Sequence, residues 1–192
     1  MSFTDSKVMA SPSLPTATAE QSIRALVAEH HGFVWRVLRG FGLSATDAED
    51  ATQQVFMIAA RKLEDIEPGR ERAFVYGAAL RVANNARRSL RRRREVTADE
   101  QPETAESDSE GPERRSELVR ARRLLAEILQ QLPEKLRRVL VLAELEQLAL
   151  PEIAALESLP VGTATSRLRV ARQQFRKLLE AAGDRNPFAS EP

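Results

Sequence analysis

From Gln21 to Leu179 the large apolar residues of this chain return at helical spacing, and no segment alternates apolar with polar as a strand would. Ile23, Leu26, Val27, Val34, Val37, Leu38 and Phe41 share one side of a first helix, which Gly40 and Gly42 close. Ser44 or Thr46 can cap a second, with Asp47, Glu49 and Asp50 at its positive end and Val55, Phe56, Ile58 and Ala59 carrying it to about Leu63. Pro68 and Gly69 interrupt, and a third helix is predicted from about Arg70 to Arg94, apolar around Phe74, Val75, Ala78, Ala79 and Val82. A chain patterned this way buries its apolar stripes by packing helix on helix, so the expected fold class is all-α.

The composition changes abruptly after the third helix. VTADEQPETAESDSEG, from Val96 to Gly111, is acidic, poor in large apolar groups and rich in turn formers, the composition of a flexible linker. It divides the chain into two small helical domains, 21–95 and 116–182, joined by an acidic linker over 96–115, with loose tails at 1–20 and 183–192. Neither domain is large enough to bury much apolar surface alone. The second is expected to open with a helix from Leu118 to Leu132, break at Pro133, and continue through Leu136, Val139, Leu140, Leu142 and Leu145.

The net charge of +1 conceals strong segregation, since Arg81 to Arg94 is basic while Asp99 to Glu113 is mostly acidic. A phosphate backbone responds to local charge, so a nucleic-acid partner is compatible with near neutrality. The absence of cysteine excludes disulfides and thiolate metal sites and agrees with a cytoplasmic location. His30 and His31 lack ligand company at metal-binding spacing, and there is no glycine-rich phosphate loop or nucleophile elbow. We therefore expect no metal, no cofactor and no enzymatic activity. No apolar run is long enough for a membrane span, and Met1 to Glu20 lacks the apolar centre of a signal peptide.

LPEIAALESLPVGTATSRLRVARQQFRKLL, from Leu150 to Leu179, points to DNA. Pro151 suits a first helical position, and Ile153, Ala154 and Leu156 make a short apolar face. Pro160, Val161 and Gly162 interrupt, and Thr163 to Leu179 resumes as a helix with Val161, Ala164, Leu168, Ala171, Phe175 and Leu178 toward a core. Two helices across a tight break make the helix-turn-helix that inserts its second helix into a major groove. On that helix Thr165 and Ser166 can reach base edges or phosphates, and Arg167, Arg169, Arg172, Arg176 and Lys177 can clamp phosphate oxygens or guanine. An amphipathic cationic helix alone is equally compatible with a solvated surface.

Three other features have both a plain and a functional reading. The Arg87 to Arg94 run is either a solvated helix end or a tract for a polyanion. Phe74 and Tyr76 before it are better read as core residues than as platforms for unstacked bases, while Asn84 and Asn85 can offer amide edges. Asp47, Glu49, Asp50, Gln53 and Gln54 are by default caps and surface polar groups. Trp35 is expected in the first domain's core.

Taken in order, these modules resemble the extracytoplasmic function family of bacterial RNA polymerase sigma factors, over about Gln21 to Ala182. DAEDATQQVFMIAARKLEDI, from Asp47 to Ile66, is similar to region 2.2 of the family, and AFVYGAALRVANNARRSLRRRR, from Ala73 to Arg94, to the segment that melts and reads the minus-ten element. LPEKLRRVLVLAELEQLALPEIAALESLPVGTATSRLRVAR, from Leu132 to Arg172, resembles region 4, which reads the minus-thirty-five element as duplex. The resemblance implies core RNA polymerase and promoter DNA as partners, and an anti-sigma factor as a regulator. It implies polymerase contacts at Asp50, Gln53 and Gln54, and minus-ten contacts at Ile66, Arg81, Asn84, Asn85 and Arg88. It implies minus-thirty-five contacts at Thr163, Thr165, Ser166, Arg167, Arg169 and Arg172. Gln54 stands where an acidic residue is common, Arg81 where asparagine is frequent, and Thr165 and Val170 where arginine or another long polar residue is usual. Fewer cations on the upstream reader imply weaker or redirected recognition there.

Two other readings compete. A free-standing helix-turn-helix regulator would bind operator duplex without polymerase, and needs neither the Asp50 and Gln53 cluster nor a long arginine-ended helix. A degenerate sigma-like interaction protein would keep the scaffold but lose promoter reading, a reading kept open by Arg81, Thr165 and Val170.

Overall fold

The computed structural model describes residues 17–96 and 112–183, and among these every regular element is helical. The tails at 1–16 and 184–192, and the acidic segment 97–111, lie outside the described residues. Helix α1 (Ala17–Gly40), α2 (Ala45–Arg61) and α3 (Glu71–Val96) form the first module. α4 (Pro112–Gln131), α5 (Glu134–Leu140), α6 (Leu150–Leu156) and α7 (Val161–Ala181) form the second.

In the first module the expected apolar stripes meet. Val34, Val37 and Leu38 of α1, Ala48, Ala51, Val55 and Ala59 of α2, and Val75, Tyr76, Ala78 and Ala79 of α3 are buried together. The alanines let the helices approach closely, and the aliphatic side chains fill the space between them. Gly42, at φ +93, ends α1 in the left-handed conformation, and its N–H donates to Arg39 O at 2.9 Å. Ser44 is the cap of α2, its hydroxyl oxygen accepting from the Asp47 N–H at 3.0 Å. α2 stops at Arg61, where the apolar face runs out into two cations, and a 3-10 turn at Leu63–Asp65 follows. Trp35 is only half buried, with the Arg39 guanidinium 5.6 Å above its ring.

The second module departs from the sequence reading in three places. α4 begins at Pro112, earlier than Leu118, with proline in the first position where its missing N–H costs nothing. α5 does not run on as an α-helix: Val141–Leu145 is a π turn, with the Glu146 N–H donating to Val141 O at 3.1 Å. The break between α6 and α7 lies at Ser158 to Pro160, with Ser158 at φ 53 and the Leu159 N–H returning to Ala154 O at 2.8 Å. Val161 and Gly162 are therefore the first turn of α7 rather than the interruption, and Val161, expected in the core, is 48% exposed. It lies in the first turn of α7, ahead of Ala164, the first residue of that helix to be buried.

The two modules share one apolar core. Val139, Leu140, Val141, Leu142, Ile153, Ala154, Ala164, Leu168 and Ala171 belong to the same buried cluster as the residues of α1 to α3. Gly40 approaches the π turn so closely that a Cβ there would lie 2.7 Å from Val141 Cγ1. Modules too small to bury much surface singly bury it against each other.

Candidate polymerase and nucleic-acid interface

On α2 the inward face is fully committed to packing, which leaves Asp50, Gln53 and Gln54 exposed at spacings of three and four residues. Met57, 55% exposed, extends the same stripe by one turn. Sequence reasoning missed it, although its position seven residues after Asp50 marked it as belonging to the polar rather than the apolar side of the helix. An exposed thioether between polar groups is an adaptable contact for a protein partner.

Arg81, Asn84, Asn85 and Arg88 also share one face, at spacings of three and four along α3. Arg81, Asn85 and Arg88 are exposed and Asn84 is partly buried. Ile66 is not part of that stripe: it follows the 3-10 turn before α3, with its side chain partly packed on the core. Helical rise over the ten residues from Glu71 to Arg81 is about 15 Å, so Ile66 and the stripe lie at separate points along the module. Phe74 and Tyr76 are core residues, Tyr76 fully so, and its ring lies 6.4 Å from that of Phe33.

On α7, Thr165, Ser166 and Arg169 face outward, while Thr163 and Arg167 sit at the flank and are partly covered. The Thr165 hydroxyl donates to Val161 O at 2.9 Å and that of Ser166 to Thr163 O at 3.0 Å, leaving their oxygens to accept from a partner. Arg172 lies apart from the amino-terminal group, with its guanidinium 2.7 Å from Glu144 in the π turn. Exposed Val161 heads the outward face, and an apolar group there can meet a thymine methyl.

Beside this reading face, α4, α5 and α7 enclose an apolar groove of about 440 Å³ lined by Leu129, Leu140, Leu145, Phe175 and Leu179. Among the described residues no cluster of three metal-capable side chains occurs, and no helix is long and apolar enough to cross a membrane.

A helical module with an exposed polar stripe and a basic reading helix, followed by a helix-turn-helix, is the build of a promoter-recognition subunit. Residues 26–95 match the sigma-70 region 2 family and residues 122–175 match sigma-70, region 4. The RNA polymerase sigma factor CnrH of Cupriavidus metallidurans is 30% identical, over 86% of this chain and 91% of its own. The ECF RNA polymerase sigma factor SigE of Mycolicibacterium smegmatis is 29% identical, over 92% of this chain and 73% of its own. The solved structure of CnrH in complex with the cytosolic domain of CnrY superposes with a TM-score of 0.61 at 28% identity, over 85% of this chain and 95% of that one. The chain belongs to the extracytoplasmic function family of RNA polymerase sigma factors. It is a transcription initiation factor that binds core RNA polymerase and promoter DNA; sigma factors in general have no enzymatic activity of their own.

Proposed function

We propose that the sigma activity of this chain is divided among three surfaces. Asp50, Gln53, Gln54 and Met57 dock on core polymerase; Ile66, Arg81, Asn84, Asn85 and Arg88 hold the melted minus-ten strand; Thr163, Thr165, Ser166, Arg167, Arg169 and Arg172 read the minus-thirty-five duplex. The domain division follows the same lines, with 21–95 as the polymerase and minus-ten module and 116–182 as the upstream reader. The observation that carries this assignment is that both α2 and α3, packed on one side, keep a continuous polar stripe on the other. Such stripes are what an interface uses when the core has no need of them.

Melting a promoter costs a few kcal/mol for each extruded base, roughly, so capture of flipped bases must draw on other binding energy. Docking on polymerase supplies it, and the upstream grip raises the local concentration of the minus-ten module. With Thr165 and Val170 in place of longer polar groups, the upstream grip is the weaker one and leans on the other two. The factor contributes no catalysis itself and works in the cytoplasm, where polymerase and promoter are. The groove lined by Leu129, Leu145 and Phe175 suits an amphipathic helix of a regulator, which for this family is an anti-sigma factor; the likeness to CnrH, solved with the cytosolic domain of CnrY, supports it.

The test is to mix the purified full chain with bacterial core polymerase and transcribe a library of promoter fragments. Initiation from a consistent pair of elements is expected. Absence of both initiation and co-migration with core would sink the assignment, and tight duplex binding without polymerase would favour an operator binder.

A further inference from the structure

The amino-terminal half of α7 presents side chains that its own packing does not use. Val161, Thr165 and Arg169 follow one another at intervals of four residues and all three are exposed, Val161 to 48%. Ala164, Leu168 and Ala171 are buried and fix the rotation of the helix, so this stripe points away from the core. At 1.5 Å per residue each step along it is about 6 Å, a little under two base pairs at 3.4 Å.

Hydrogen bonding inside the helix limits what this face can read. The Thr165 hydroxyl gives its proton to Val161 O at 2.9 Å, and that of Ser166 to Thr163 O at 3.0 Å. A hydroxyl turned back onto the preceding turn has only lone pairs to offer outward, and at Thr165 it leaves the methyl as the group beside Val161. Guanine presents two acceptors in the major groove, N7 and O6, and would meet no donor from either hydroxyl. Desolvating such acceptors without a partner costs affinity. Thymine has a C5 methyl in place of one of them, and a methyl needs only an apolar neighbour, which Val161 and Thr165 supply. The arginines leave this unchanged. Arg167 is partly covered, Arg172 is paired with Glu144 at 2.7 Å, and Arg169 stands a full turn beyond Thr165.

We propose that this face selects thymine by its methyl group: Val161 and Thr165 form an apolar patch that packs on the C5 methyls of neighbouring thymines in the minus-thirty-five duplex. The proposal rests on the assignment of α7 as the upstream reader and names the base that reader prefers. Thr165, standing where arginine or another long polar residue is usual, then redirects upstream recognition as well as weakening it.

Deoxyuridine differs from thymidine only by the missing methyl, which makes the contact directly testable. With holoenzyme formed from the full chain and core polymerase, the preferred upstream duplex is first selected from fragments randomised over the minus-thirty-five element, the downstream sequence being held fixed. Each thymine of the selected element is then replaced singly by deoxyuridine, and holoenzyme binding is measured by fluorescence anisotropy. Burial of one methyl changes affinity about fourfold, so at least one thymine should show a loss of that size when replaced. At the same position 5-methylcytosine should bind better than cytosine by a similar factor. Val161→Ala combined with Thr165→Ser, which keeps the back-bonded hydroxyl, should bring the thymine and deoxyuridine duplexes to equal affinity without moving the melting temperature of the protein. A selected element without thymine, equal affinity for thymine and deoxyuridine at every position, or a double variant that still discriminates would each overturn the proposal while leaving α7 as the upstream reader. Binding indifferent to every upstream base would overturn that assignment itself, and the thymine preference with it.

Discussion

Arg36 and Glu146 stand 110 positions apart in the chain and meet in a two-pronged clasp between the first module and the π turn of the second. The bond to Glu146 raises the Arg36 pKa, and planar guanidinium against carboxylate satisfies both oxygens at once. Because Arg36 itself is half exposed, solvent screens the pair and its net worth is modest. In a double-mutant cycle of Arg36→Ala and Glu146→Gln we expect a coupling of about 1 kcal/mol from denaturant unfolding. Additive effects would show that the clasp contributes nothing beyond packing.

Tyr76 is the single tyrosine of the chain, so phenolate absorbance reports it alone. Burial, and then the neighbouring Glu157 carboxylate, push its pKa well above the usual 10.0. A group whose folded pKa is raised stabilises the fold fully below the unfolded value and progressively less above it. Stability from Tyr76 should be constant below about pH 10 and decline as the pH rises further, with phenolate appearing only as the protein opens. Ionisation of the native protein at the ordinary tyrosine pKa would contradict the buried placement.

Gln53→Ala and Met57→Ala remove exposed side chains from one stripe of α2 and should leave the melting temperature unchanged. Each is expected to weaken binding to core polymerase by about 1 kcal/mol, roughly fivefold, measured by competition with a labelled sigma factor. Unaltered competition by both would remove the stripe from the polymerase interface.

On α7 the outward placement of Arg169 against the covered flank of Arg167 orders their effects. Arg169→Ala should reduce binding to promoter duplex more than Arg167→Ala, and should lower the slope of affinity against salt by about one counterion. The measurement is a salt titration of fluorescence anisotropy with holoenzyme; the reverse order would mean that α7 enters the groove in another rotation.

Ser44→Ala deletes the acceptor for the Asp47 N–H at the start of α2. A loss of about 1 kcal/mol in unfolding free energy is expected, with core binding in the native state retained. No loss would show that Asp47 or water satisfies the exposed N–H equally well.

Much of the first module was legible because its signals are local. The cap at Ser44, the apolar faces of α1 to α3 and the common side of Arg81, Asn84, Asn85 and Arg88 all follow from a period of 3.6 residues. Met57 was harder to see, since an apolar residue inside an apolar stretch is taken for core unless its seven-residue spacing from Asp50 is weighed against its side chain. Val161 was misplaced for a related reason: its spacing from Ala164 and Leu168 suits the core, but it falls in the first turn of α7, ahead of the buried part of that helix. The π turn carries no local signature here, because its extra residue is favoured by what it brings to α1 and α7, through Glu146 on Arg36 and Glu144 on Arg172.

By itself the sequence determined that the chain is helical, which sides of its helices are apolar, where charge is segregated, and that the order of its modules is that of a sigma factor. Helical periodicity and turn chemistry act over a few residues, so neighbours in sequence suffice to express them. The tertiary structure alone decided which charges are enclosed. Nothing near Glu146, Glu157 or Arg137 in the chain distinguishes them from the exposed carboxylates and arginines around them; Glu146 and Glu157 are enclosed where Arg36 of α1 and Tyr76 of α3 meet them across the module boundary, and Arg137 is buried within the fold. Desolvation and pairing of a charge depend on partners brought from distant positions, and that is why the contact between modules is a property of the fold rather than of any segment.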